Sequence, residues 1–578
     1  MVSKLEKIMK NKSLIYLLFP IAVFIIYWYD FISITNHLDT IFDEGYFYLL
    51  LWKVRHGIIN EGISQWSLIV HGILGDGICS NIIKLRYSGF ACNFLSVAFF
   101  SCISGWYLFK KKILDSTIKI ILFFSVAFLL GSFHQVGVII AYNNLQNFFL
   151  LMVISCFLYA THIHSNKAAF LYLLIGFFSF LSILTILPSG ILMLISVTAL
   201  LWIKYIRNKR KALSFTFCIV SGMFLSALTF HLFIYDIRDV IGNMSKTTNI
   251  ITASNGWFHI SSYFINISMY FRDFYMTMSL LSGMFFVCLF IRKFTKDWIA
   301  KTIFTFSLFV FYIFQKKPEL PITTLLVFIL FLFFVGILNE TKKIIFRDIL
   351  SFPVLIQLFL FFSPLIASIG TNIYLGDKIA CFIVPWTCLF LELISNPLIK
   401  DKYSKEIHFL IWVFLLLFIT QPIESIINSF NNKSKAVYYF HKEKPIAQIP
   451  LTKNQKNYFD RVYQIMNKYG YESRKDVVFA TQLDHMTICA FDGIPCGTYF
   501  WPIDFLLDPN KKRLDKPVFL FLDTYDLSML SDTFRTLRWG FPQNYDRYFV
   551  GTPESILTSY STERWLYCAK DRRISTIR

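Results

Sequence analysis

Through residue 424 the chain alternates long apolar runs with short polar loops, many of them basic. Each run approaches the roughly 20 residues that a helix needs to cross the hydrocarbon core of a bilayer. The first run, 14 to 32, follows a head containing Lys4, Lys7, Lys10 and Lys12. No small-residue cleavage site comes after it, so it reads as an uncleaved signal anchor. Further runs lie near 89 to 109, 117 to 133, 146 to 162, 168 to 186, 189 to 203, 213 to 234, 275 to 291, 301 to 315, 321 to 338, 349 to 369, 379 to 395 and 407 to 421. The pattern predicts a polytopic α-helical membrane protein with about 13 transmembrane helices.

The placement of basic residues orients these spans, because cytoplasmic loops carry an excess of Lys and Arg. With the N-terminus in the cytoplasm, the inner loops hold Lys110, Lys111 and Lys112, then Lys204, Arg207, Lys209, Arg210 and Lys211, then Arg292, Lys293 and Lys296. Lys342, Lys343, Arg347, Lys400, Lys402 and Lys405 continue the alternation. Lys316, Lys317 and Lys378 fall on the outer side against the trend. Such cations either serve a site or anchor lipid headgroups.

An odd number of spans leaves the rest of the chain, 425 to 578, on the outer face as a soluble α/β domain. Turn signals at Asn431-Asn432-Lys433-Ser434, Asp492-Gly493 and Asp508-Pro509-Asn510 punctuate it. A helix-like stretch runs from Thr452 to Tyr469. Val477-Val478-Phe479-Ala480 and Pro517-Val518-Phe519-Leu520-Phe521-Leu522 read as strands.

Composition agrees with this division. Of 578 residues, 56% are hydrophobic and only 16% charged, well below the roughly 25% of soluble domains. Mean hydropathy is +0.55. A soluble enzyme, a disordered scaffold and a fibrous protein are excluded. The formal charge of +20 falls in clusters beside the apolar runs, so it reports topology and not nucleic-acid binding. Eight of the 11 cysteines sit in or beside spans as small hydrophobes. In the outer domain an oxidising compartment would permit a disulfide, with Cys489 and Cys496 the nearest pair.

Chemistry concentrates in the first outer loop, 33 to 88, which is far too long for a simple connection. Its stretch Phe42-Asp43-Glu44-Gly45-Tyr46-Phe47-Tyr48 sets two adjacent carboxylates at the start of an aromatic-rich helix. A helix N-terminus favours acids, so a capped helix lying in the membrane interface is one reading. It leaves unexplained why the pair ends a span and faces both a large loop and a large outer domain.

A cytoplasmic N-terminus, an outer loop opening on Asp-Glu-Gly-Tyr, a basic residue before the second span and about a dozen helices resemble the GT-C glycosyltransferases. The likeness is to the bacterial branch related to protein O-mannosyltransferases and aminoarabinose transferases. The matching residues are Asp43 and Glu44, and Arg86 within Lys84-Leu85-Arg86. Gly131-Ser132-Phe133-His134, Tyr142-Asn143-Asn144 and Ser368-Ile369-Gly370-Thr371-Asn372 also look like loops of this group. The resemblance covers the membrane part, 1 to 424, in layout and only these short motifs in residues.

It implies transfer of a sugar from a polyprenyl-phosphate donor to a glycolipid, glycan or protein acceptor at the outer face, with inversion. Asp43 is then the general base, with Glu44 its partner or a hydrogen-bonder to substrate, and a carboxylate suits the base's task. Arg86 and Lys378 are the first candidates to stabilise the departing lipid phosphate, followed by Lys316 and Lys317. Asp236 and Asp239, in a later outer loop, could orient acceptor or donor, though a solvated turn explains them equally. His134, Tyr142, Asn143 and Asn372 complete the candidate substrate contacts. No His, Cys and carboxylate cluster has metal-ligand spacing, and no cofactor is required by this reading, although a divalent ion could assist the phosphate. The layout suits a bacterial inner membrane with the C-terminal domain in the periplasm. An O-antigen polymerase or ligase would rely on arginines and a histidine in late loops, and a transporter or flippase of lipid-linked saccharides on broken helices and midplane charges.

Overall fold

In the computed structural model, the described residues are 43–55, 64–110, 139–163, 167–242, 351–370, 382–394, 453–480, 485–495, 518–523, 540–551 and 563–571, with a few isolated positions. The expected first span and the runs near 117 to 133, 275 to 291, 301 to 315, 321 to 338 and 407 to 421 lie outside these stretches.

Ten helices come from the membrane part of the described residues: α1 (Asp43–Arg55), α2 (Trp66–Leu74), α3 (Asp76–Cys79), α4 (Ile82–Lys110), α5 (Tyr142–Ala160), α6 (Lys167–Thr185), α7 (Leu187–Lys204), α8 (Lys209–Phe233), α9 (Phe352–Ser368) and α10 (Val384–Ile394). Helices α4 to α8 are long and apolar enough to cross a membrane; α9 and α10 are shorter apolar helices. The chain is a helical membrane protein.

The tightest contact in the bundle pairs α6 with α8. A Cβ added at Gly176 would sit 1.9 Å from the carbonyl oxygen of Ile219, and one at Gly222 equally close to that of Leu173. Glycine here lets two backbones touch, the device by which membrane helices gain packing without a hydrophobic drive. Gly176→Ala and Gly222→Ala are each expected to lower thermal stability in detergent by about 1–3 kcal/mol, because neither backbone can yield without moving its helix. Unchanged melting of both variants would show that the crossing is looser than described.

One end of the bundle is marked by lysines. The Lys204 ammonium donates to the carbonyls of Thr161 (2.7 Å) and Ala160 (3.4 Å), the last carbonyls of α5. Lys204 and Lys211 lie over the Tyr205 ring and Lys110 over Trp106. Cations at a helix C-terminus offset its dipole, and aromatic rings beside them mark a membrane–water interface. Toward this end Glu392 of α10 is buried, accepting from Gln357 Nε2 (3.1 Å) and, at the limit of bonding, from the Tyr107 hydroxyl (3.5 Å). This intramembrane carboxylate joins α4, α9 and α10. Sequence reading passed over it as one acid within an apolar run.

At the opposite end stands a five-stranded mixed sheet with strands β1 (Val477–Ala480), β2 (Ile494–Pro495), β3 (Phe519–Asp523), β4 (Tyr545–Gly551) and β5 (Arg564–Ala569). The order is β2-β1-β3-β5-β4, with β1 parallel to both β2 and β3 and with β5 antiparallel to β3 and β4. Strands buried on two faces read as continuous apolar runs, which is why Val477 to Ala480 and Phe519 to Leu522 show no polar alternation. One face, with Phe479, Leu520, Leu522, Tyr545 and Tyr567, packs on Phe541. The other, with Val478, Ala480, Phe519, Phe521 and Leu566, packs with helices α11 (Lys453–Lys468) and α12 (His485–Phe491). In α11, Tyr458, Phe459, Val462 and Met466 recur at helical spacing on the buried side.

That second face shares one hydrophobic cluster with the membrane part. Phe47, Tyr48 and Leu51 of α1, Trp66 and Ile69 of α2, Leu85 of α4, Leu145 of α5 and Leu184 of α6 belong to the same cluster as Phe459, Cys489, Phe519 and Leu566. Cys489 and Cys568 are buried, and Cys496, the other half of the expected pair, lies outside the described residues. Burial pushes both thiols well above their ordinary range.

Candidate active site

Helix α1 begins at Asp43, so the acidic pair does open a helix. Its surroundings differ from those of an interfacial helix. Every residue from Phe47 to Lys53 is buried, none more than 6% exposed. An interfacial helix would show one face to lipid and another to water. This one is enclosed all round, by α2 and α3 on the membrane side and by α12 on the other.

The second turn of α1 shows what each face of the helix meets, since residues four apart share a face. Phe47, one turn after Asp43, meets the rings of Trp66 and Tyr142 edge-on with centroids 5.6 and 5.7 Å away. Phe47 thus marks the face of α1 that meets the first turn of α5. Tyr48, one turn after Glu44, donates its hydroxyl proton to the Ser80 carbonyl at 2.9 Å, at the junction of α3 and α4. Burial keeps that phenol protonated far above its ordinary pKa.

Arg86 enters from this junction. It lies in the second turn of α4 and is fully buried. The residue before it accepts, through the Leu85 carbonyl, the Ile140 amide at 3.2 Å, which holds the segment leading into α5 against the start of α4. Asn144 secures the same approach: its Oδ1 accepts from the Ala141 amide (3.0 Å) and its Nδ2 donates to Asn93 Oδ1 of α4 (3.0 Å). Tyr142 and the buried Asn143 are thus presented at the α5 N-terminus beside α1 and α4. Two tethers fix the loop between α1 and α2 to the end of α6, Gln65 N to Leu184 O (2.9 Å) and Ser64 Oγ to Thr185 O (2.6 Å). The helix that opens on Asp43 and Glu44, buried Arg86, and Tyr142 and Asn143 at the start of α5 therefore lie at one end of the bundle.

Asp236 and Asp239 do not join them. Both are exposed, beyond the end of α8. Asp236 accepts from the amide of Arg238 (2.8 Å) and pairs with His231 (3.5 Å), closing its own turn. Lys316, Lys317, Lys378, His134 and Asn372 lie outside the described residues. Among the described residues no group of three or more His, Cys, Asp or Glu could hold a metal ion.

The structure adds a polar group that sequence reasoning missed. Asp76 is hydrogen-bonded to His71 Nε2 (2.9 Å) and pairs with Arg55 Nε (3.4 Å), while Lys84 Nζ donates to the Gly77 carbonyl (3.1 Å). The bond from His71, then the charges of His71 and Arg55, hold the Asp76 carboxyl below its ordinary range. Basic groups so gather between the C-terminus of α1 and the start of α4. Gly75-Asp76-Gly77 was the only local hint, and nothing in it names the distant Arg55.

No protein-family model matches the chain, and no curated protein matches it by sequence. Among solved structures, two oligosaccharyltransferase structures and one of ArnT are similar to it. The oligosaccharyltransferase of Archaeoglobus fulgidus solved with zinc and sulfate matches at TM-score 0.46 and 12% identity over 82% of this chain. The chain spans 62% of that protein's length. The archaeal oligosaccharyltransferase AglB from the same organism, in complex with an inhibitory peptide and a dolichol-phosphate, matches at TM-score 0.46 and 11% identity, covering 94% of this chain and 73% of that one. ArnT from Cupriavidus metallidurans in the apo state matches at TM-score 0.37 and 11% identity, covering 96% and 98%. At these values the likeness carries no argument, and the chemistry of this chain has to be argued from its own residues.

Proposed function

We propose that the chain transfers a sugar from a polyprenyl-phosphate-linked donor to an acceptor at the outer face of a membrane. The supporting observation is that the helix opening on Asp43 and Glu44, buried Arg86 and the Tyr142-Asn143 turn share the end of the bundle opposite the lysines. In this reading the lysine end is cytoplasmic, residues 425 to 578 form an outer domain, and about 13 spans surround the site in a bacterial inner membrane.

The reaction is a single displacement. Asp43 takes the proton of the acceptor hydroxyl or amine as the acceptor's lone pair bonds to the anomeric carbon. The bond from that carbon to the phosphate oxygen breaks, its electron pair leaving on the polyprenyl phosphate, with inversion at carbon. Arg86 stabilises the charge appearing on that oxygen; a guanidinium can grip two phosphate oxygens at once. Burial strengthens the attraction because little water screens it. Lys378, and then Lys316 and Lys317, are proposed to share the charge, and Tyr142 and Asn143 to contact the sugar or acceptor. The prenyl chain remains in the lipid.

The test is reconstitution. The intact chain in lipid nanodiscs, supplied with polyprenyl phosphates carrying pentoses or hexoses and with glycolipid, glycan and protein acceptors, is expected to release polyprenyl phosphate in step with a new glycosidic product, both read by mass spectrometry. Movement of the lipid-linked sugar across vesicle membranes with no bond broken would overturn the reading in favour of a flippase.

A further inference from the structure

The α1 helix is joined to the C-terminal region through one buried carboxylate. Trp52 Nε1 donates to Asp492 Oδ1 at 2.9 Å across 440 residues of sequence. Asp492 Oδ2 accepts from Arg474 Nε at 2.5 Å, and the Asp492 carbonyl accepts from the Arg474 amide at 2.9 Å. Trp52 and Asp492 are 5% and 7% exposed. Asp492 and Arg474 both adopt the left-handed conformation, with φ of 58° and 64°. Non-glycine residues seldom do so, and aspartate is among those that tolerate it. The turn after α12 is thus shaped to point a carboxylate at a helix made at the far end of the chain.

The consequence follows from the stiffness of a helix. Trp52 lies nine residues after Asp43, about 14 Å along the axis at 1.5 Å per residue. Over that length a tilt of about 4° moves the first turn by about 1 Å, and a misplacement of that size can cost a reaction about 100-fold. The Tyr48 bond to Ser80 fixes α1 on the membrane side, and the Trp52 bond to Asp492 fixes it on the other.

We propose that Asp492 is a positioning residue: its carboxylate seats α1 so that the turn bearing Asp43 and Glu44 is held in register with Arg86 and Tyr142. The proposal rests on the transfer reading above. It makes the C-terminal region a working part of the site instead of an appended module.

Three variants of the full chain in nanodiscs test it. Asp492→Gly removes the carboxylate while relieving the backbone, since glycine adopts positive φ freely. Asp492→Asn tolerates the same φ and keeps one oxygen acceptor for Trp52 Nε1, giving up the bond from the solvent-exposed Arg474 side chain. Trp52→Phe deletes the donor and keeps an aromatic ring. Asp492→Gly and Trp52→Phe are each expected to lower kcat about 10- to 100-fold with KM for the donor within about threefold, and to speed amide exchange in residues 47–53 about tenfold. Asp492→Asn should stay within about threefold of the unmodified chain in kcat and exchange.

Unchanged kcat and exchange in Asp492→Gly and Trp52→Phe would overturn the proposal, as would an asparagine variant as impaired as the glycine one. Should Asp492→Gly fail to fold, Trp52→Phe and Asp492→Asn decide by the same two readouts. If the unmodified chain transfers no sugar from any donor, the functional reading falls, while exchange in α1 still reports whether the joint holds the helix.

Discussion

Asp43→Asn is expected to lower sugar transfer by about 10²- to 10⁴-fold, the range a positioned general base supplies, with expression and melting unchanged. Asparagine occupies the same volume and can still hydrogen-bond, but it cannot accept the acceptor's proton at neutral pH. Donor binding should survive, because in the proposed reaction the prenyl chain stays in the lipid and Arg86 holds the phosphate. Polyprenyl phosphate release measured on purified variants separates the two steps. Glu44→Gln belongs in the same experiment. If Glu44 is the partner, its loss should cost less than that of Asp43, and the reverse ranking would exchange their roles. Near-normal turnover of Asp43→Asn would remove the proposed mechanism.

The second large effect is expected at Arg86. Arg86→Lys keeps the charge but loses the planar fork, and Arg86→Met keeps length and apolar packing but loses the charge. Removing a group that stabilises developing negative charge costs about 10² to 10³ in rate. The methionine variant is expected to reach that loss and the lysine variant to fall between it and the unmodified chain. A fully buried guanidinium also has structural duties, so melting has to be read alongside rate. A variant that melts normally and has lost transfer places the effect on the reaction. A methionine variant that is folded and active at near the unmodified rate would show that Arg86 only holds the start of α4.

The membrane part was legible in sequence wherever a helix is apolar along its whole length. The expected runs at 146 to 162, 168 to 186 and 189 to 203 correspond to α5, α6 and α7 to within a few residues. Helix α4 begins earlier than its apolar run because Lys84, Arg86 and Ser88 break the run without breaking the helix. In the C-terminal region, β1 coincides with Val477 to Ala480 and α11 with the stretch from Thr452, each carrying its own periodicity or strand-forming run. Sequence also located the helix opening on Asp43. Its burial was out of reach, because Phe47 to Lys53 are covered by residues from the other end of the chain. Asp492-Gly493 read as a turn, and it is one. That its carboxylate would meet an indole 440 residues away is a fact of tertiary packing that no local pattern encodes.

The contact between Trp52 and Asp492 closes a loop of 440 residues. The entropy of closing a loop grows only slowly with its length, so a separation this wide adds little to the cost of the contact. That entropy is nonetheless lost before the contact can reward it, which makes the seating of α1 a late event in folding.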